Sequence, residues 1–157
     1  MKAPFERRRT RLEPHVILLD AYRDCLDQEG LRERARAATP SLAPCSSRSY
    51  KFPFAIVAWH TSAVGVDLER LGTFPRSRFS SIACPEERAA DADGEQFDVT
   101  DLWSGKEAAA KAMGDARRYD PRIMLSPVLW PDGRAGRWRA RRVAVPQGHI
   151  AWMCWQA

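Results

Sequence analysis

The sequence predicts an α+β fold, a small antiparallel sheet packed with one long helix, and three observations predict it. Two apolar runs of strand length, at 54–59 and 63–68, follow one another across a short polar break. An alanine-rich stretch near 99–113 carries helix signals at both ends: Asp98 or Thr100 can cap its start, Asp101 sits in its first turn, and Gly114 stops it. Two or three further strands are expected near 122–129, 137–145 and 149–155.

The remaining elements follow in order. Residues 1–14 read as a basic arm, expected to be mobile, and 15–157 as a single domain. Residues 15–38 read as a helix from the placing of Ile17, Leu18, Leu19, Tyr22, Cys25, Leu26 and Leu31, with Gly30 as a point of interruption. Residues 39–51, rich in Pro, Ser and Arg, read as a loop, and 74–92 as a loop with short helices. No internal repeat or low-complexity segment interrupts the chain.

Composition narrows the classes. With 157 residues and 45% apolar content the chain can bury a core. No run approaches the roughly 18 apolar residues of a transmembrane helix, so no membrane role is expected. The basic N-terminus is followed by no apolar segment of signal-peptide length. Cys25, Cys45, Cys84 and Cys154 are scattered, with no Cys-x-x-Cys, as expected of reduced thiols in a cytoplasmic protein. A net charge of +5 suits an anionic partner. No nucleic-acid-binding motif accompanies that charge, so nucleic acid is not expected.

Two short motifs carry chemistry. In Gly65-Val66-Asp67-Leu68-Glu69 the apolar context is that of a strand, so Asp67 and Glu69 point the same way. Two neighbouring carboxylates repel unless a cation lies between them, and a hard divalent ion is the usual one. In Trp103-Ser104-Gly105-Lys106-Glu107-Ala108-Ala109-Ala110-Lys111, Glu107 and Lys111 are four apart and share a helix face. If that face meets the strand, Glu107 becomes a third oxygen ligand and Lys111 a donor for an anion held by the same metal. Taken singly, the first motif is an ordinary solvated strand end and the second a helix-surface salt bridge. The lysine count adds weight: of 25 Lys plus Arg only Lys2, Lys51, Lys106 and Lys111 are lysine. Two of the four lie in the second motif, and an ammonium is a compact point charge suited to phosphate.

The pair of motifs, in this order and with Glu107 40 residues after Asp67, resembles the 4′-phosphopantetheinyl transferase superfamily. Its signature is a Gly-x-Asp-x-Glu strand followed by Trp-x-x-Lys-Glu-Ala-x-x-Lys. The stretch Phe79-Ser80-Ser81-Ile82-Ala83-Cys84-Pro85-Glu86-Glu87 is similar to the family's Pro-x-Glu helix start, and Asp120-Pro121-Arg122 and Gly148-His149-Ile150-Ala151 to its C-terminal strands. The resemblance is closest to the second half of the surfactin-synthetase type. It implies Mg²⁺-dependent transfer of the phosphopantetheine arm of coenzyme A to a serine of an apo acyl or peptidyl carrier protein, as in natural product biosynthesis. It implies Asp67, Glu69 and Glu107 as metal ligands, with Glu107 as ligand first and general base second. It also implies Lys111, with Lys106, as phosphate contacts. Trp103 reads as packing, and Gly65 as a place where a backbone or ligand comes close.

The sequence departs from the family in two places. Relatives carry Ser-His-Ser ahead of the acidic strand, with the histidine on the nucleotide phosphates; here the matching stretch is Ser47-Arg48-Ser49, which puts Arg48 in that role. His60 is either a displaced partner or a plain surface histidine. The 66 residues before Asp67 are too few for a full first half and too many for the compact holo-synthase type, which assembles as a trimer. The resemblance thus leaves the site to be completed by a second copy or a partner subunit, or incomplete. The Arg-rich stretches at 32–36 and 137–142 can supply phosphate contacts, dock an acidic carrier, or form solvated faces. Phe74, Phe79 and Ile82 are either core or carrier-docking residues. Besides the transferase, two alternatives stand: a degenerate relative that binds a carrier or synthase, and an enzyme reusing the site for other coenzyme A or carrier chemistry.

Overall fold

Among the described residues, 13–92 and 96–157 of the computed structural model, seven strands form two antiparallel sheets with one long helix laid across the second. The first sheet has the order β1-β3-β2, with β1 at His15–Asp20, β2 at Cys45–Lys51 and β3 at Phe54–His60. The second has the order β4-β7-β6-β5, with β4 at Val64–Arg70, β5 at Arg134–Ala135, β6 at Trp138–Arg142 and β7 at His149–Gln156. Helix α1 (Gln28–Ala37) packs on the first sheet, the short helices α2 (Phe79–Ile82) and α3 (Pro85–Ala90) follow β4, and α4 (Val99–Met113) covers β4 and β7.

The two sheets meet where β2 lies beside β4, and side chains make the junction. Val66 N donates to Ser47 Oγ at 3.0 Å, and Leu68 N donates to Ser49 Oγ at 3.1 Å. Serines two apart on one strand thus satisfy amides two apart on the other, groups that would be costly if buried without a partner. Period-two alternation does the rest on β4. Val64, Val66 and Leu68 enter a core with Ile56, Ala58, Ala151, Met153 and Trp155, while Gly65, Asp67 and Glu69 turn to the other side.

That other side receives α4. Asp98 caps the helix, accepting from Thr100 N at 2.8 Å and Asp101 N at 3.0 Å. Gly114, with φ of 82°, ends it in the left-handed conformation that favours glycine. Its buried face is built from Ala108, Ala109, Ala110 and Ala112, so the helix sits very close to the sheet. At Gly65 a Cβ would stand 2.1 Å from Ala108 O and 2.4 Å from Ala112 N, closer than any side chain allows. The close approach expected at Gly65 is therefore between two backbones.

Three sequence expectations are corrected. Residues 15–38 are not one helix but β1, a turn and α1, since Val16 to Leu19 pair with β3 in a register that sets Leu18 opposite Ile56. A short apolar run fits strand or helix equally, and only the distant partner decides. Residues 39–51 hold β2, whose polar sequence hid it: one face bonds β4 through serine and the other meets α1. Residues 122–129 form no strand; Pro121 and Pro127 each open a single 3₁₀ turn, Pro121–Ile123 and Pro127–Leu129. The expected arm, apart from Glu13 and Pro14, lies outside the described residues.

Replacing Gly65 by alanine is expected to cost about 3 kcal/mol of stability, because two backbones must separate to admit the methyl group. Urea denaturation of Gly65→Ala measures it, and a wild-type midpoint would contradict the close packing described.

Candidate active site

The site lies along the contact between β4 and α4. Asp67 is buried, 4% exposed, and central. Its Oδ1 accepts from Lys111 Nζ at 2.7 Å and from Ser49 Oγ at 3.2 Å. Lys111 Nζ also donates to Val66 O at 3.0 Å, so its ammonium spans the turn of α4 to the edge of β4. Asp67 Oδ2 is buried and has no hydrogen-bond partner among the described residues. The backbone around it is pinned by Ser104 Oγ, which donates to Asp67 O at 3.4 Å.

The two other carboxylates flank Asp67. Glu69, two residues along the strand, is ion-paired to Lys51 Nζ at 2.5 Å. Glu107 Oε1 accepts from Tyr119 Oη at 2.6 Å. Burial holds the Glu69 carboxyl above its ordinary range against the opposing bond from Lys51, and the charge of Asp67 adds to the rise. Burial likewise raises the Glu107 carboxyl, against the bond from Tyr119 and again with help from Asp67. The Tyr119 phenol is pushed well up, by burial first and by Glu107 second. Both flanking carboxyls thus feel the charge of Asp67.

This donor set fits a hard divalent cation. It offers only oxygen, one carboxylate oxygen is buried and unspent, and two carboxyls are strained by burial beside a like charge. Asp67, Glu69 and Glu107 would be its ligands. Among the described residues no three such side chains already converge as a cage. Each carboxylate is turned to a partner of its own, Lys111, Lys51 or Tyr119.

Lys106, expected on a phosphate, is placed elsewhere. Its ammonium is wholly buried, paired to Glu87 at 2.7 Å and donating to Ile82 O and Pro121 O at 2.7 and 2.6 Å. Glu87 is equally buried and also accepts from Cys84 N at 2.9 Å and Ser126 N at 2.7 Å. The Pro-x-Glu segment and the lysine of the helix motif are therefore two ends of one structural ion pair, with no donor left for a ligand. Arg48 is corrected in the same way. It faces away from Ser47 and Ser49, and its guanidinium donates to Ala35 O at 3.2 Å and Thr39 Oγ1 at 2.8 Å, closing the end of α1.

Other candidates sort by contact. Trp103 packs against Phe74 with ring centres 4.9 Å apart and approaches Tyr119 at 6.5 Å, in a cluster with Phe79, Ile82, Val99 and Leu102. His60 accepts from Ser62 N at 3.2 Å and lines a separate cleft with His15 and Trp59. In the C-terminal basic stretch, Arg142 pairs with Asp101, which also accepts from Trp152 Nε1 at 2.7 Å, and Arg141 pairs with Glu13 at 3.3 Å. Arg32 and Arg36 line a shallow cleft on α1, apart from the carboxylates.

Sequence reasoning missed Ser49, Lys51, Tyr119 and the Arg117–Arg118 pair. Arg117 and Arg118 line a cleft of about 430 Å³ that begins at Lys111 and Gly114. A signal existed for two of them: Ser47, Ser49 and Lys51 are each two apart, so all three share the face of β2 that meets β4. Tyr119 carried none, because a turn after Gly114 decides where it falls.

The site is a buried acidic strand under a lysine-bearing helix, and comparison with known proteins shows the family to which it belongs. The family model of the 4′-phosphopantetheinyl transferase superfamily matches residues 63–145, more than half of the chain, and the chain belongs to that superfamily. No curated protein matches it closely enough to compare. The matched span contains β4, α4 and every carboxylate of the site. Transfer of a phosphopantetheinyl group is the activity that membership supports, and no helix among the described residues is long and apolar enough to cross a membrane.

Removing the Lys106 ammonium leaves the buried Glu87 carboxyl without its cation. Lys106→Met is therefore expected to destabilise the fold by about 3–5 kcal/mol. Chemical denaturation checks this: a variant as stable as wild type would mean that the lysine is free to serve a ligand instead.

Proposed function

We propose that this protein transfers the 4′-phosphopantetheine arm of coenzyme A to a serine of an apo acyl or peptidyl carrier protein, in a Mg²⁺-dependent reaction. The observation that carries the reading is the meeting of Asp67, Glu69, Glu107 and Lys111 on one seam, with Asp67 Oδ2 buried and uncommitted. Bound by the three carboxylates, Mg²⁺ supplies positive charge for the pyrophosphate of coenzyme A.

The chain's own residues do the rest. Lys111, partly open to solvent beside the adjoining cleft, offers its ammonium to a phosphate oxygen. Glu107 has one oxygen held by Tyr119, which fixes the carboxylate and leaves the other for ligation or for the proton of the incoming serine. The serine oxygen forms a bond to the β-phosphorus as the phosphoanhydride bond breaks. Adenosine 3′,5′-bisphosphate leaves with the bond's electron pair, and the serine proton passes to Glu107 or to a water it orients. Ligation ranks first for Glu107, since a base beside a bound cation is weakened. A cytoplasmic location suits such a reaction, with carrier and coenzyme A as its partners.

One observation favours a second reading. Lys106 and Arg48, the phosphate contacts expected from the family, are spent on the fold. A relative that binds a carrier or synthase without catalysis would tolerate that loss, and so would an enzyme with other coenzyme A chemistry.

Calorimetric titration of coenzyme A with and without Mg²⁺ separates the readings. Binding that needs Mg²⁺ is expected, together with arm transfer to at least one member of a carrier panel. Glu107→Ala is expected to lower transfer by about a hundredfold or more while leaving the thermal midpoint near that of wild type. Carrier binding that persists without any coenzyme A binding would instead establish the non-catalytic reading.

A further inference from the structure

We propose that Lys51 is a second anion-binding lysine of this site and that, with Lys111, it brackets the phosphates of a diphosphate-bearing ligand over Asp67 and Glu69. The proposal rests on the transferase reading above. It starts from the count of ammonium groups: the chain has four lysines, Lys106 is sealed against Glu87, and Lys2 lies outside the described residues. Lys51 and Lys111 remain, and each is within 2.7 Å of a carboxylate of the acidic strand.

They approach from different elements. Lys111 reaches down from α4 to Asp67. Lys51 is the last residue of β2, on the face whose Ser47 and Ser49 fasten β2 to β4, and this register sets its ammonium on Glu69 Oε2 at 2.5 Å. The Lys51 side chain is 35% exposed and that of Lys111 24%, against 0% for Lys106. The two that remain reachable are the two at the carboxylates.

The pair is asymmetric: the Glu69 side chain is buried, 11% exposed, while that of Lys51 is 35% exposed, so the ammonium is reachable by a ligand although its carboxylate is not. Asp67 and Glu69 neutralise these ammonium groups while no ligand is present. With a divalent cation held by these carboxylates, the ammonium groups of Lys51 and Lys111 would be released to donate to an anion beside it, at short range and partly screened from water. Lys51 thereby fills the role that burial denies to Lys106.

The test titrates coenzyme A, and separately inorganic pyrophosphate, into the intact protein with Mg²⁺ present. Wild type is compared with Lys51→Met, Lys51→Arg and the remote charge control Arg32→Met. Lys51→Met is expected to weaken both ligands about tenfold or more, with Lys51→Arg recovering part of the loss and Arg32→Met unchanged. Mg²⁺ affinity without ligand is expected to hold or tighten in Lys51→Met, since Glu69 loses a competing cation. Unchanged ligand binding in Lys51→Met overturns the proposal, as does an equal loss in Arg32→Met, which would be a general charge effect. Weaker Mg²⁺ binding in Lys51→Met also overturns it, by making the lysine a holder of Glu69. If Lys51→Met fails to fold, Lys51→Gln serves the same comparison. Failure of wild type to bind either ligand sinks the transferase reading and this proposal together, whereas wild-type binding with an indifferent Lys51→Met sinks the lysine alone.

Discussion

At Gly65 the backbone of β4 passes so close to α4 that no side chain fits between them, and the remaining geometry is set from that contact. A hydrogen at position 65 and a run of alanines opposite let the helix lie almost on the strand. At that separation a lysine one turn further along the helix reaches both Val66 O and Asp67 Oδ1. A bulkier interface would lift α4 and leave its lysine and glutamate above the acidic strand rather than against it. The small residues are thus part of the electrostatics, although they carry no charge themselves.

The second constraint is that a strand with buried carboxylates must also find partners for its amides. On one edge β4 pairs with β7; on the other, Ser47 and Ser49 accept from Val66 N and Leu68 N. Ser49 then donates to Asp67 as well, so one hydroxyl joins the two sheets and orients a site carboxylate. Fold and site share atoms here, and a polar strand is the consequence.

Charge is divided between structure and chemistry by depth. The deepest ammonium among the described residues, Lys106, is matched by a carboxylate and two carbonyls and ties α2, α3 and the Pro121–Ile123 turn to α4. The shallower ammonium groups, Lys51 and Lys111, face carboxylates that the protein itself satisfies only in part. The same residue type therefore does two jobs, separated by access to solvent. Arginines instead fasten local structure, as Arg48, donating to Ala35 O at the end of α1, and Arg142, paired to Asp101, show.

The sequence by itself determined the acidic strand, the direction of Asp67 and Glu69, the bounds of α4 with a cap at Asp98 or Thr100 and its Gly114 stop, and the Glu107–Lys111 face. These rest on local periodicity and capping, which nearby residues settle. It also carried the family, because two short motifs keep their order and spacing. Tertiary structure alone decided which lysine is sealed and which stays partly open to solvent, since the partner of Lys106 is a glutamate 19 residues away in another element. It decided that 15–20 is a strand and 45–51 another, because strand pairing is a contact between distant segments and polar β2 shows no apolar alternation. It placed Lys51 and Tyr119 at the carboxylates through a strand register and a turn, neither of which is written in the residues nearby.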